Sequence, residues 1–286
     1  MNGTTIARLW GRVPVIVRAV IVGTVILMVG EGVPSNLFVA NRMFWPVVPW
    51  FAPLAILWLW LFGQYLGGRW WPRSTSAARR ENLRARSLSP REWRWALIAG
   101  GSTMMSFGAL HFVAAHFDPI DYRGFYALFV QVPPQTVAAL ILVISAAAGL
   151  VEEAAYRGYM QGMIERRHGP VAAIIIVAIF FCLVHITSIP PLTPTRAFFI
   201  ITASVNYSIL ALLTGSILPG LVIHAVGDAA GIFLLWLLWS TDGLRADAPL
   251  WLYLVESAIL GAIAVWAFRK LIHSYRSAST GSSLAA

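Results

Sequence analysis

Hydrophobic residues in this chain come in long runs separated by short polar stretches, without the strict alternation of membrane-barrel strands. Eight runs stand out: Pro14–Gly30, Trp50–Leu66, Trp95–Phe117, Val137–Ile164, Pro170–Thr187, Ala197–Thr214, Ile217–Trp239 and Leu250–Leu271. Each is near the ~20 residues a helix needs to cross ~30 Å of hydrocarbon, and too long for a barrel strand. Lipid cannot satisfy backbone N–H and C=O groups, so such runs predict helices that satisfy their own. The expected fold class is all-α: a polytopic membrane bundle of about eight transmembrane helices.

Polar residues set the orientation. Eight arginines (Arg69, Arg73, Arg79, Arg80, Arg84, Arg86, Arg91 and Arg94) fall in the single interhelical segment 67–94. With the N-terminus inside, the inner segments and adjoining helix ends also hold Arg8, Arg12, Arg18, Arg166, Arg167, Arg269, Lys270 and Arg276, sixteen basic residues in all. The outer segments hold four: Arg42, Arg123, Arg196 and Arg245. This positive-inside bias places both termini in the cytoplasm. Trp70, Trp71, Trp93 and Trp95 flank the arginine segment, and Trp45, Trp50, Trp239 and Trp251 lie toward the other face, as interfacial belts do.

Composition agrees. Hydrophobic residues make up 58% of the 286 and charged residues only 12%, about half the share of a soluble domain. The net charge of +9 is explained by the clustered arginines beside spans, which attract anionic headgroups, so nucleic acid is not an expected partner. Arg8, Arg12 and Arg18 precede the apolar run Ala19–Gly30 as in a signal peptide, but no small-residue cleavage site follows, and an uncleaved first span is expected. The only cysteine, Cys182, excludes an internal disulfide and reads as a packing residue. Segment 67–94 is expected to be an interfacial or partly disordered loop, and the Ser/Ala/Gly-rich tail 274–286 to fray.

Ionisable groups within spans cost several kcal/mol unless paired or hydrated, which makes each a functional candidate. Glu152, Glu153 and Arg157 lie in the fourth span, His185 in the fifth, His224 and Asp228 in the seventh, and Glu256 in the eighth. Glu153 and Arg157, four residues apart, form the natural ion pair, leaving Glu152 freer for proton transfer. The fourth and fifth spans form a hairpin turning near His168-Gly169-Pro170. Glu152 lies 17 residues before Gly169 and His185 16 after it, so both sit roughly 25 Å from the turn. Phe181, one turn before His185, shares its face. His224 and Asp228 share one helix face, and a common polar chamber is expected. His111 and His116, near an interface, and Glu256, without a partner in sequence, read as structural.

Glu152-Glu153-x-x-x-Arg157, Phe181-x-x-x-His185 and His224-x-x-x-Asp228, in that order and within apolar helices, resemble the CPBP family, which includes type II CAAX prenyl endopeptidases and bacteriocin-processing (Abi-like) proteins. The resemblance covers about a third of the chain. It divides the chain into N-terminal helices (1–136), a CPBP-like catalytic core (137–239) and a last helix with its tail (240–286). It implies an intramembrane endopeptidase of the cell membrane, acting on a membrane-associated or lipid-modified peptide or protein. Glu152 would activate water, His185 would orient it and handle protons, and His224 with the residue at 228 would stabilise the oxyanion. Glu153, Arg157 and Phe181 would support them. Asp228 stands where the prenyl-processing members carry Asn, and an ionised Asp cannot donate to an oxyanion. No cofactor is expected, but Glu152, His185, His224 and Asp228 also form an N/O set suited to zinc. A non-catalytic immunity or assembly protein and a small proton-coupled transporter are the competing functions; Gly149, Gly158 and Gly162 would suit a helix broken near the midplane.

Overall fold

The computed structural model describes residues 9–188, 190–240 and 249–283, and among these the regular structure is entirely helical. Arg8, Arg245 and the last residues of the tail lie outside the described residues, as do the side chains of Trp239 and Arg276. The helices are α1 (Val15–Phe44), α2 (Phe51–Leu66), α3 (Ser76–Leu83), α4 (Pro90–Ala115), a single turn α5 (Arg123–Tyr126), α6 (Pro134–Ala147), α7 (Gln161–Val184), α8 (Pro194–Thr214), α9 (Leu218–Ser240) and α10 (Leu250–Ser283). Between α6 and α7 the chain stays helical but widens to π geometry over Ala148–Met160.

Six described helical runs are long and apolar enough to cross a membrane, making this a multi-pass membrane protein. The difference from eight has two sources. The α2 run has only 16 residues, and Pro134–Val184 forms one helical run of 51 residues. Gly169, at φ 83 and ψ 167, breaks that run into the two arms of the expected hairpin. A side chain would strain this left-handed backbone.

The first span runs further than hydropathy suggested. α1 continues past Gly30 through Glu31-Gly-Val-Pro to Phe44. Pro34 has no N–H to donate to the carbonyl of Gly30, four residues earlier. The indole Nε1 of Trp58 on α2 donates to that oxygen instead, at 3.2 Å. A neighbouring helix thus satisfies the backbone group that proline leaves open, and the helix survives in an apolar setting.

The π segment lies at the centre, packed against α1, α7 and α9. Its apolar side is buried in the largest core cluster, with Val151, Ala154 and Ala155 inaccessible. α1 approaches it so closely at Gly30 that an added Cβ would stand 2.5 Å from Val151. α4 and α10 pack antiparallel along their lengths, pairing Trp95 with Trp266, Ser106 with Ser257 and Phe112 with Tyr253.

Segment 67–94, expected to be loose, is ordered. It contains a 3-10 turn at Arg73–Thr75, then α3, and ends in a capping box in which Ser89 and Glu92 each accept from the other's backbone N–H. Arg79 is buried beneath it, donating to the carbonyl of Trp70. α10 likewise carries helix through most of the tail that was expected to fray.

The segments the charge count placed on one face meet at one end of the bundle. Arg84 pairs with Glu165 at 3.0 Å, Arg166 donates to Asn82 at 2.8 Å, and Arg86 donates to the carbonyl of Thr214. At the other end, Gln135 and Thr136 donate to the carbonyls of Val47 and Pro46. There too the Asp118 carboxylate accepts from Thr195 N at 3.1 Å, which holds its carboxyl below the usual range.

Candidate active site

The site is built on the π segment. A π turn adds a residue per turn and often occurs at functional sites. Glu153 and Arg157 face inward, both with fully buried side chains, and Nη1 of Arg157 donates to Oε1 of Glu153 at 3.0 Å. The same Oε1 lies 2.9 Å from Nδ1 of His224 on α9, whose ring N–H donates to it. Glu153 is thus clamped between a guanidinium and an imidazole. A buried carboxylate needs partners of this kind, a cation and a ring N–H, to be held in so dry a place.

Gly220, one turn before His224, makes room for this arrangement: a Cβ there would stand 3.0 Å from Oε2 of Glu153. Gly149 has a similar use, since its Cβ would come within 2.8 Å of the Leu221 carbonyl. Close contact between the π segment and α9 therefore accounts for Gly149. The helix around Glu152 is widened rather than broken, and Gly149 serves packing.

With Nδ1 engaged, the Nε2 edge of His224 is turned toward the other two acids. It lies 3.6 Å from Oδ2 of Asp228 and 3.9 Å from Oε2 of Glu152. Accessibility rises along this line, from 0% for Glu153 through 16% for Glu152 to 40% for Asp228. The Nε2 edge therefore opens toward Glu152 and Asp228. Oε2 of Glu152 has no hydrogen-bond partner in the protein, and an unpaired buried oxygen is a place for water or a substrate group.

Aromatic rings fix the remaining surroundings. Tyr207 of α8 stacks on His224 at 4.9 Å and 19°. The guanidinium of Arg157 lies 4.5 Å from the Phe181 ring and 5.2 Å from Tyr207. Phe181 is buried, as the shared-face reading requires, and touches both His185 (4.9 Å) and His224 (6.2 Å).

His185 is held differently from the other three. It caps the end of α7, and its Nδ1–H donates to the carbonyl of Phe181 at 2.6 Å, leaving Nε2 free. It reaches the cluster through Phe181 rather than through a hydrogen bond to Glu152. Glu256 is exposed on α10, apart from the cluster. His111 packs against Phe199 and Phe112. Cys182 is half-buried against the core around the π segment.

One residue of this neighbourhood escaped the reading of the sequence. Glu31 is on α1, directly after the Gly30 contact with Val151, and its Oε1 is buried without a hydrogen-bond partner. Placing the end of the first span at Gly30 made Glu31 look interfacial. A signal was present in principle: a helix can pass a proline in a membrane, and Glu31 then falls mid-helix.

Among the described residues no three His, Cys, Asp or Glu side chains stand in metal-ligand geometry. The donor set matches zinc in kind, but Nδ1 is taken on both histidines, by Glu153 and by a backbone carbonyl.

A membrane helical bundle with a buried Glu–Arg–His cluster and a partly open Glu–His–Asp edge defines a class: polytopic membrane proteins with an intramembrane polar site. Residues 133–230 match the sequence model of a family described as type II CAAX prenyl endopeptidase Rce1-like. The match, over about a third of the chain, contains all three motifs and bears out the resemblance drawn from them. No curated protein and no solved structure significantly matches the chain.

Proposed function

We propose that this protein is an intramembrane endopeptidase of the cell membrane that hydrolyses a peptide bond in a membrane-associated or lipid-modified protein or peptide. The observation that carries the reading is the division of labour between adjacent glutamates. Glu153 is locked by Arg157 and His224, while Glu152 makes no side-chain hydrogen bond among the described residues and, at 16% exposure, stands on the open side of the same imidazole. A purely structural ion pair would need only the first.

In the proposed reaction the Glu152 carboxylate takes a proton from water as the water oxygen bonds to the scissile carbonyl carbon. The negative charge passes to the carbonyl oxygen. In its imidazolium form His224 donates from both nitrogens, Nδ1 to Glu153 and Nε2 to this oxyanion. Asp228, one turn on and 3.6 Å from Nε2, balances the charge of that imidazolium without hydrogen-bonding to it. Collapse of the intermediate breaks the C–N bond, and the proton held by Glu152 goes to the leaving amine. His185, through its free Nε2, helps to position the water.

The reaction is written without a metal. Zinc held by Glu152, His185, His224 and Asp228 is the competing chemistry, and it requires activity to vanish on chelation and return with zinc. A transporter is disfavoured by the unbroken helix at Glu152.

Glu152→Ala should lower cleavage of a membrane-associated substrate by at least about 10²-fold, the usual contribution of a general base. The test compares membrane-protein termini from cells expressing wild type or the variant, at matched protein levels. Neo-termini that persist with Glu152→Ala would remove the water-activating role. His224→Ala should reduce kcat more than it raises KM.

A further inference from the structure

A polar concavity lies at the arginine-rich end of the bundle. It has a volume of about 560 Å³ and is walled by the end of α2 (Gly63, Gln64), by Arg69, by Arg80 and Glu81 of α3, and by Arg84, Arg86 and Gly215. Four guanidinium groups thus face one space with a single carboxylate.

Two of the four already have anionic partners. Arg84 pairs with Glu165 at 3.0 Å and Arg86 with Glu92 at 2.7 Å. Arg69 and Arg80 do not: Arg69 donates to the side-chain oxygen of Gln64, and Arg80 to Ser76 Oγ and the carbonyl of Gly68. These neutral acceptors orient the two guanidinium groups without cancelling their charge. Glu81 leans away, toward Arg166 at 3.8 Å.

The surroundings give the depth. Trp70 and Trp71 follow Arg69 directly and are 45% and 83% exposed, on a protein whose neighbouring surface is apolar helix. Exposed indoles beside arginines are found at the headgroup level of a bilayer. Next to the pocket, buried Arg79 ties α3 to the Trp70 carbonyl.

We propose that this pocket binds the phosphate of an anionic phospholipid headgroup, held by Arg69 and Arg80 with Arg84 and Arg86 behind them. Guanidinium groups bind phosphate oxygens by paired hydrogen bonds, and headgroup depth puts a lipid phosphate within reach. The proposal is independent of the peptidase reading.

The test uses full-length protein purified in neutral detergent, exchanged against mixed micelles of phosphatidylglycerol and phosphatidylcholine, with bound lipid counted by native mass spectrometry. Wild type should retain phosphatidylglycerol preferentially. The double variant Arg69→Ala/Arg80→Ala should lose that preference by about tenfold, as expected for two charge-assisted contacts, with an unchanged melting temperature in detergent alone. Arg73→Ala/Arg91→Ala, which removes the same charge outside the pocket, should keep it. Equal losses in the two double variants would mean diffuse surface charge and overturn the site. A parallel arm adds inorganic phosphate without lipid: displacement of phosphatidylglycerol at low millimolar concentration would assign the pocket to free phosphate and overturn the lipid as its ligand.

Discussion

At the scale of single residues, the pair Glu152-Glu153 shows how identical side chains are separated by environment. About a quarter of a turn decides which one meets Arg157 and which faces the open edge. Removing Glu153 leaves the buried Arg157 without its carboxylate, a loss of about 3–5 kcal/mol for a buried pair. Glu153→Ala is therefore expected to lower the melting temperature in detergent strongly, whereas Glu152→Ala should leave it nearly unchanged while stopping cleavage. A Glu153→Ala variant as stable as wild type would mean the clamp is not what holds the π segment. Glu31 belongs at this scale too. Glu31→Gln keeps its shape and removes its charge; turnover should fall without loss of stability. Turnover equal to wild type would detach Glu31 from the site.

At the scale of elements, the wide π segment and its glycines place charged side chains where straight packing would not. Gly158 lies against the backbone carbonyls of Asn82 and Leu83, and a Cβ would come within 2.9 and 3.0 Å of those oxygens. Gly101, on α4, has nothing within 4 Å. Gly158→Ala should thus destabilise by roughly 1–3 kcal/mol, the usual cost of overpacking. Gly101→Ala should be neutral or slightly stabilising, because alanine forms helix better than glycine. Thermal unfolding of the two variants side by side checks the pair, and equal melting points would mean that α3 yields and its dock on the π segment is soft. The same reasoning explains α1: Trp58 of α2 satisfies the carbonyl that Pro34 exposes, so one element's continuity depends on another's side chain.

At the scale of the whole molecule, arginine-rich segment 67–94, the hairpin turn at Gly169 and the turn at Gly215 share one end, and the segment after α1 lies at the other. The charge bias predicts that the first end is cytoplasmic. In a Cys182→Ser background, single cysteines at Thr75 and His168 should react with a membrane-impermeant maleimide only from the cytoplasmic side. One at Val47 should react only from the other side. Labelling of positions 47 and 168 from the same side would contradict the topology.

The class and the clustering of polar groups were legible in the sequence because hydrocarbon solvent imposes rules on every residue separately. Long apolar runs must be helices, ionisable groups within them must be rare, and the Glu-Glu-x-x-x-Arg, Phe-x-x-x-His and His-x-x-x-Asp spacings put the right groups on common faces. The hairpin at Gly169 and the Glu153–Arg157 pair follow from contacts close in sequence. Other features depended on partners far along the chain: the passage of α1 through Pro34, the placing of Glu31 within that helix, the docking of segment 67–94 on the π segment, and the approach of His224 to Glu153. Local sequence records what a helix must hide, but a carbonyl satisfied by a distant indole, or an imidazole reached by a carboxylate on another helix, exists only once the bundle has packed.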